Sequence, residues 1–212
     1  MRTHAKLVAT AVAVATVLAV TVGTAPARNL SVSETTFKAF WEVVNFNGVQ
    51  CILRMDGEFH TRTLAKTQGS LIGNVTVAFV NEEFEEEAGC RLAVLIGTLP
   101  WHVRYAGFTG TLPNITGIQA DIIGFAILKI GREIFNAFNF CLYRSTATNP
   151  LKVRITRSAT GRLIEIRPDE TAGLVLDTNL GGGQCPLYLE VRGGTENFTI
   201  PNTTTRITLT LI

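Results

Sequence analysis

Asp56, Glu58 and His60 stand two residues apart in the string MDGEFH. On a β-strand, side chains two apart share a face, with about 6.6 Å from one to the next. A carboxylate and an imidazole at that spacing could make an acid–base pair, and two carboxylates could serve a hydrolase. Arg54 and Arg62 continue the same face, so the alternation reads first as a solvated strand face and second as a hydrolytic site. The other constellation is GTLPWHVRYAGFTGTLP, residues 97–113. As a strand it turns Trp101, Val103 and Tyr105 to one side, towards a core, and His102 and Arg104 to the other. The polar side could bind an anion or simply face water. The doubled GTLP reads as a shared strand ending, with proline where the ladder stops. A loop is expected around Gly107–Gly110, and a ligand held here would touch that loop rather than the strand. The candidate binding residues are therefore Trp101, His102, Arg104, Tyr105, Gly107 and Phe108.

Other chemistries find few residues. Past the first 27 positions the histidines are His60 and His102, and neither G-x-S-x-G nor S-x-x-K occurs. Neither histidine is expected to act as a base, because a base needs an orienting acceptor and a nucleophile in reach. Cys51, Cys90, Cys141 and Cys185 contain no C-x-x-C pair that would suggest a metal. The glutamates of NEEFEEEAG, residues 81–89, lack the alternation and central glycine of an EF-hand loop and read as a solvated hairpin end. LGGGQCP precedes a strand, so it lacks the helix N-terminus of a phosphate cradle. No catalytic residue, metal or cofactor is assigned.

The elements that must position these residues are strands. The N-terminus differs from all that follows: Arg2, His4 and Lys6 precede the apolar run Leu7 to Gly23, and Ala25-Pro26-Ala27 supplies small residues for a cut after Ala27. This is the pattern of a secretory signal peptide over 1–27, leaving 28–212 as one domain and no membrane span. Loss of Arg2 and Lys6 would leave 17 basic and 17 acidic side chains, so neither a nucleic-acid footprint nor a polybasic membrane patch is expected. Four cysteines in an exported chain read as two disulfides, and sequential strands tend to be neighbours, which favours Cys51–Cys90 and Cys141–Cys185. Sequons at Asn29, Asn74, Asn114, Asn197 and Asn202 matter only where exports are glycosylated.

Period-2 alternation and turn punctuation every 8 to 12 residues predict an all-β antiparallel sandwich or barrel. TTFKAFWEVVNF favours a strand through its aromatic and β-branched content. CRLAVLIGTL reads as a buried strand. IQADIIGFAILKI and EIFNAFNFCLYR read as two strands around a Gly131-Arg132 turn. LKVRITR and RLIEIRP read as a hairpin turning at Ala159-Thr160, with Ile155 opposite Ile164, Val153 opposite Ile166 and Arg154 opposite Glu165. A turn at Thr160-Gly161 would instead place Val153 opposite Pro168.

GEFHTRTLAK, GSLIG, GTLPWHVRYAGFTGTLPNITGI and TTTRITLTLI resemble an uncharacterised family of exported actinobacterial proteins, and the likeness runs through most of residues 28–212. The resemblance implies export and a single all-β domain, and brings no activity or site residue with it. The leading functional expectation is a secreted, non-catalytic binding or cell-envelope interaction module. The alternatives are an exported hydrolase using Asp56, Glu58 and His60, and a carrier of a small apolar ligand, since IQADIIGFAILKI reads as apolar on both faces and could line a barrel interior.

Overall fold

A computed structural model of the chain describes residues 29–81, 90–132, 138–180, 184–193 and 196–212. Residues 1–27, where a signal peptide is expected, the glutamate run at 82–87 and the glycines at 181–183 lie outside these residues. The described strands are β1 (Leu30–Val32), β2 (Thr36–Phe46), β3 (Val49–Phe59), β4 (Thr63–Leu64), β5 (Leu71–Asn81), β6 (Leu92–Val94), β7 (Trp101–Thr111), β8 (Asn114–Ile123), β9 (Ala126–Arg132), β10 (Phe138–Arg144), β11 (Leu151–Arg157), β12 (Leu163–Pro168), β13 (Gly173–Leu180), β14 (Tyr188–Gly193), β15 (Glu196–Thr199) and β16 (Leu209–Leu211). A 3₁₀ turn covers Ile96–Thr98. Among the described residues no helix is long and apolar enough to cross a membrane.

One antiparallel sheet runs in the order β12-β11-β8-β7-β5-β3-β2-β14-β13-β10-β9-β6, with β15 also on β2; β16, β1 and β4 form a small second sheet. The large sheet curls into a half-barrel. Its terminal strand β12 comes back beside β15 and β2. Alternation explains which side faces in. On β3, Met55, Gly57 and Phe59 are buried while Glu58 is exposed; on β11, Leu151, Val153 and Ile155 are buried while Lys152 and Arg154 are exposed. Phe37, Phe59 and Phe198 meet inside, with the Phe37 ring 5.2 Å from Phe59 and 5.1 Å from Phe198. The space left among Phe37, Met55, Val103, Ile155 and Phe198 amounts to about 20 Å³, close to a single water-sized probe. Gly57 permits this packing: a Cβ there would lie 2.2 Å from the Asn74 carbonyl oxygen and 2.6 Å from the Phe37 ring.

Both disulfides join the expected partners, Cys51–Cys90 and Cys141–Cys185. Bonded cysteines belong to an oxidising environment.

Several sequence expectations change. In the β11–β12 hairpin, Ile155 opposes Ile166 and Val153 opposes Pro168, which is the second register and not the first. Gly161 takes φ +86, and its N–H donates to the Ser158 carbonyl at 3.0 Å, so the loop is one residue longer than a turn at Ala159-Thr160. A further irregularity beside Arg157 completes the shift. Arg154 accordingly opposes Arg167 rather than Glu165, and its guanidinium reaches Asp169 instead. CRLAVLIGTL is not one buried strand: β6 ends at Val94, and the Thr98 and Leu99 N–H groups bond locally to Leu95 and Ile96 carbonyls. Ile96 is 70% exposed. IQADIIGFAILKI breaks at Gly124, which has φ +88, into β8 and β9. Gly131 and Arg132 are strand residues opposite Asn139 and Phe138, so pairing continues through them. The sequence reading omitted β13, whose Gly173 and Leu174 are buried but whose remaining positions show no clean alternation.

Candidate functional site

The stretch from Gly97 to Pro113 is built around a single uninterrupted strand. WHVRYAGFTGT is β7, and Gly107 and Gly110 lie within it beside irregularities in the β8 ladder, so the expected Gly107–Gly110 loop is absent. Backbone pairing continues because each irregularity absorbs one extra residue. The first GTLP lies ahead of β7, in and after the 3₁₀ turn, rather than at a strand ending; the second closes the β7–β8 hairpin, and both Leu-Pro bonds are cis.

Trp101 and Tyr105 are buried in the core beneath the strand, while His102 is exposed and Phe108 is at the exposed margin. The Trp101 indole N–H donates to Thr98 Oγ1 at 2.8 Å, and its ring centroid lies 4.5 Å from that of Phe125.

Asp56, Glu58 and His60 share the outer face, as the alternation requires, and no hydrogen bond joins one of the three to another. Arg54 engages the Asp56 carboxylate through Nε and Nη2. His60 and His102 meet instead through Asn74: its amide Nδ2 donates to His60 Nε2 at 3.0 Å, and its Oδ1 accepts from His102 Nδ1 at 2.9 Å. The strand register explains this bridge, since Asn74 on β5 lies between Glu58 on β3 and His102 on β7. Among the described residues no carboxylate orients either imidazole, and no set of three acidic, histidine or cysteine side chains is placed to hold a metal.

A different part of the outer face is concave. Arg104 on β7, Asp121 on β8 and Lys152 on β11 stand directly across from one another. They face outward because Ile118, Ala120 and Ile122 on β8, and Val153 on β11, take the inward positions. Gln119 lies one outward step along β8, opposite Gly107, where a Cβ would come within 3.0 Å of the Gln119 Oε1. Glycine at 107 thus leaves space for that amide.

Two connections wall this patch. One carries Gln68, and is tied to β7 by the Gly69 N–H donating to the Tyr105 carbonyl at 2.8 Å. The other is the turn after β12, tied to β11 by the Asp169 N–H donating to the Lys152 carbonyl at 2.9 Å. Asp169 is itself braced: Arg154 donates to its Oδ2 at 3.2 Å, while the Thr171 N–H and hydroxyl donate to Oδ1 at 3.3 Å. The result is a cleft of about 300 Å³ lined by Gln68, Gln119, Asp121, Lys152, Asp169 and Thr171. A second depression of about 460 Å³ shares Asp169 and is lined also by Glu170, Arg167 and Arg192.

Within the first cleft, the side chains of Gln68, Gln119, Asp121 and Lys152 make no hydrogen bond to any described residue. Their donors and acceptors converge on the same space. Burial raises the Asp121 carboxyl above the ordinary aspartate range, against the opposite pulls of Lys152 and Arg104. The folded chain therefore holds this proton more tightly than the unfolded chain. Stability from the protonated form is complete below the unfolded value and is lost as pH rises through the raised folded value. Asp121→Asn is accordingly expected to be more stable than wild type near neutral pH, with the difference vanishing in acid. Urea unfolding of both proteins at about pH 7 and about pH 3 checks the sign. A variant that is less stable at neutral pH would contradict it.

Of the sequence candidates, Arg104 and Gly107 pair with Asp121 and Gln119 without lining the cleft, and Trp101 and Tyr105 lie in the core. Sequence reasoning missed Gln68, Gln119, Asp121, Lys152 and Asp169. IQADII carried a signal, a lone aspartate at an alternating position of an apolar run, but the segment was expected to be apolar on both faces. Its outward face holds Gln119 and Asp121.

No protein-family model, curated protein or solved structure matches this chain.

Proposed function

We propose that this protein is an exported, non-catalytic β-domain that binds a component of the cell envelope, with the cleft at Asp121 as its ligand site. The observation that carries this reading is the convergence in one concavity of four polar side chains that make no hydrogen bond to a described residue. A half-buried carboxylate whose surroundings disfavour its charge is the kind of group that binding, rather than stability, retains. Export rests on the leader pattern of residues 1–27 and is in keeping with two disulfides. The space of about 20 Å³ among Phe37, Met55, Val103, Ile155 and Phe198 gives no support to an apolar ligand held there. The Asn74 bridge between His60 and His102 gives none to a histidine-based hydrolase.

Sedimentation with isolated cell envelopes tests the proposal. The wild-type domain is expected to co-sediment, the Asp121→Ala/Lys152→Ala double variant to lose at least about tenfold in affinity, and His102→Ala to bind as wild type. Loss of one charge-assisted hydrogen bond already accounts for that factor. Equal binding by the double variant would move the ligand site elsewhere, and failure of wild type to sediment would remove the envelope as the target.

A further inference from the structure

The composition of the cleft narrows its ligand class. We propose, resting on the binding reading above, that the groove on either side of Asp169 holds a neutral oligosaccharide, several sugar units long.

The charges balance. Across the two depressions that share Asp169, Lys152, Arg167 and Arg192 stand against Asp121, Asp169 and Glu170. A polyanion would meet the three carboxylates, and a polycation the three basic groups, so neither gains a uniform field along the groove. Among the described residues no aromatic side chain lines either depression, and the lining offers amides, carboxylates, an ammonium and a hydroxyl. These are groups that hydrogen-bond a surface of alternating hydroxyl donors and acceptors. An apolar ligand would strand them, each at the cost of a desolvated polar group.

The distribution of free and engaged groups gives the site a direction. The side chains of Gln68, Gln119, Asp121 and Lys152, on one side of Asp169, make no hydrogen bond to a described residue. On the other side Arg167 is paired with Glu165, and Arg192 with Glu190. The first side makes the tight contacts and the second extends the groove. Asp169 marks the junction and is preorganised by Arg154 and Thr171, so binding need not order it. A sheet-borne floor with braced walls gives a ligand a fixed hydrogen-bond pattern, and a ligand longer than a single sugar would reach from the first depression past the shared Asp169 to the second.

Two-dimensional amide NMR of the full domain, titrated separately with cellohexaose, chitohexaose, maltohexaose and mannohexaose, tests this assignment. At least one hexasaccharide is expected to shift the amides of Gln119, Asp121, Lys152, Asp169 and Thr171. Its single-sugar counterpart should bind at least about tenfold more weakly. Asp121→Ala should weaken the hexasaccharide at least about tenfold. Asp121→Asn, expected to be the more stable fold, should also weaken it, so a loss of binding cannot be assigned to unfolding. Absence of shifts with all four sugars overturns the proposal, as do shifts confined to other strands, or tighter binding of polygalacturonate or of an unstructured peptide at the same residues. If the domain sediments with envelopes and Asp121→Ala/Lys152→Ala does not, yet no hexasaccharide enters the cleft, the binding reading stands and the glycan assignment fails.

Discussion

Trp101→Ala is expected to lower the stability of this domain by about 3–5 kcal/mol, the range for truncating a fully buried aromatic side chain. Trp101 is 0% exposed and begins β7, which pairs with β8, the strand bearing Asp121. Two contacts are lost together. The ring leaves Phe125, whose centroid is 4.5 Å away, and the indole N–H leaves Thr98 Oγ1 at 2.8 Å. Trp101→Phe, which keeps most of the ring packing, should cost less than half as much. Urea unfolding followed by circular dichroism measures both, and a loss below about 1 kcal/mol for Trp101→Ala would show that Trp101 is not a core anchor.

Removing the first disulfide should cost a similar amount. Cys51–Cys90 closes a loop with a sequence separation of 39. In the chain-entropy model this is worth about 4 kcal/mol, because the crosslink restricts the unfolded chain. Cys51 is a core position on β3, and Cys90 lies just ahead of the short outer strand β6, so the bond also holds the last strand of the sheet order close to the middle. Cys51→Ala/Cys90→Ala is expected to shift the urea midpoint downward by the corresponding amount, with Cys141–Cys185 left intact. Variant and wild type should converge when both are fully reduced. A double variant within about 1 kcal/mol of wild type would mean that the native contacts alone hold this region.

Local patterns carried much of the fold into view. Alternation in MDGEFH correctly separates Met55 and Phe59 from Asp56 and Glu58, and WHVRY separates buried Trp101 and Tyr105 from exposed His102. Those assignments depend only on the two-residue period of a strand and the pull of apolar side chains out of water. The all-β class follows from the same period repeated between turns. The disulfide partners are the expected ones, but the expected reason fails: Cys51 on β3 reaches Cys90 ahead of β6 and Cys141 on β10 reaches Cys185 ahead of β14, and neither pair of strands is adjacent in the sheet.

What the tertiary structure decided was everything that depends on partners distant in sequence. Backbone conformation at Gly161 and the irregularity beside Arg157 chose the hairpin register, because a one-residue change in a loop alters every pair beyond it. Asn74, unremarkable in sequence except as a sequon, joins His60 to His102 because β5 lies between β3 and β7. The Asp121 cleft is the clearest case. Gln119 and Asp121 come from β8 and Lys152 from β11, and Gln68 and Asp169 from two connections tied to β7 and β11 by backbone hydrogen bonds. Each segment alone shows at most a polar residue on an outward face. Only sheet order and register place those residues around one concavity, where low access to water raises the Asp121 carboxyl and leaves its neighbours' hydrogen-bonding groups for a ligand.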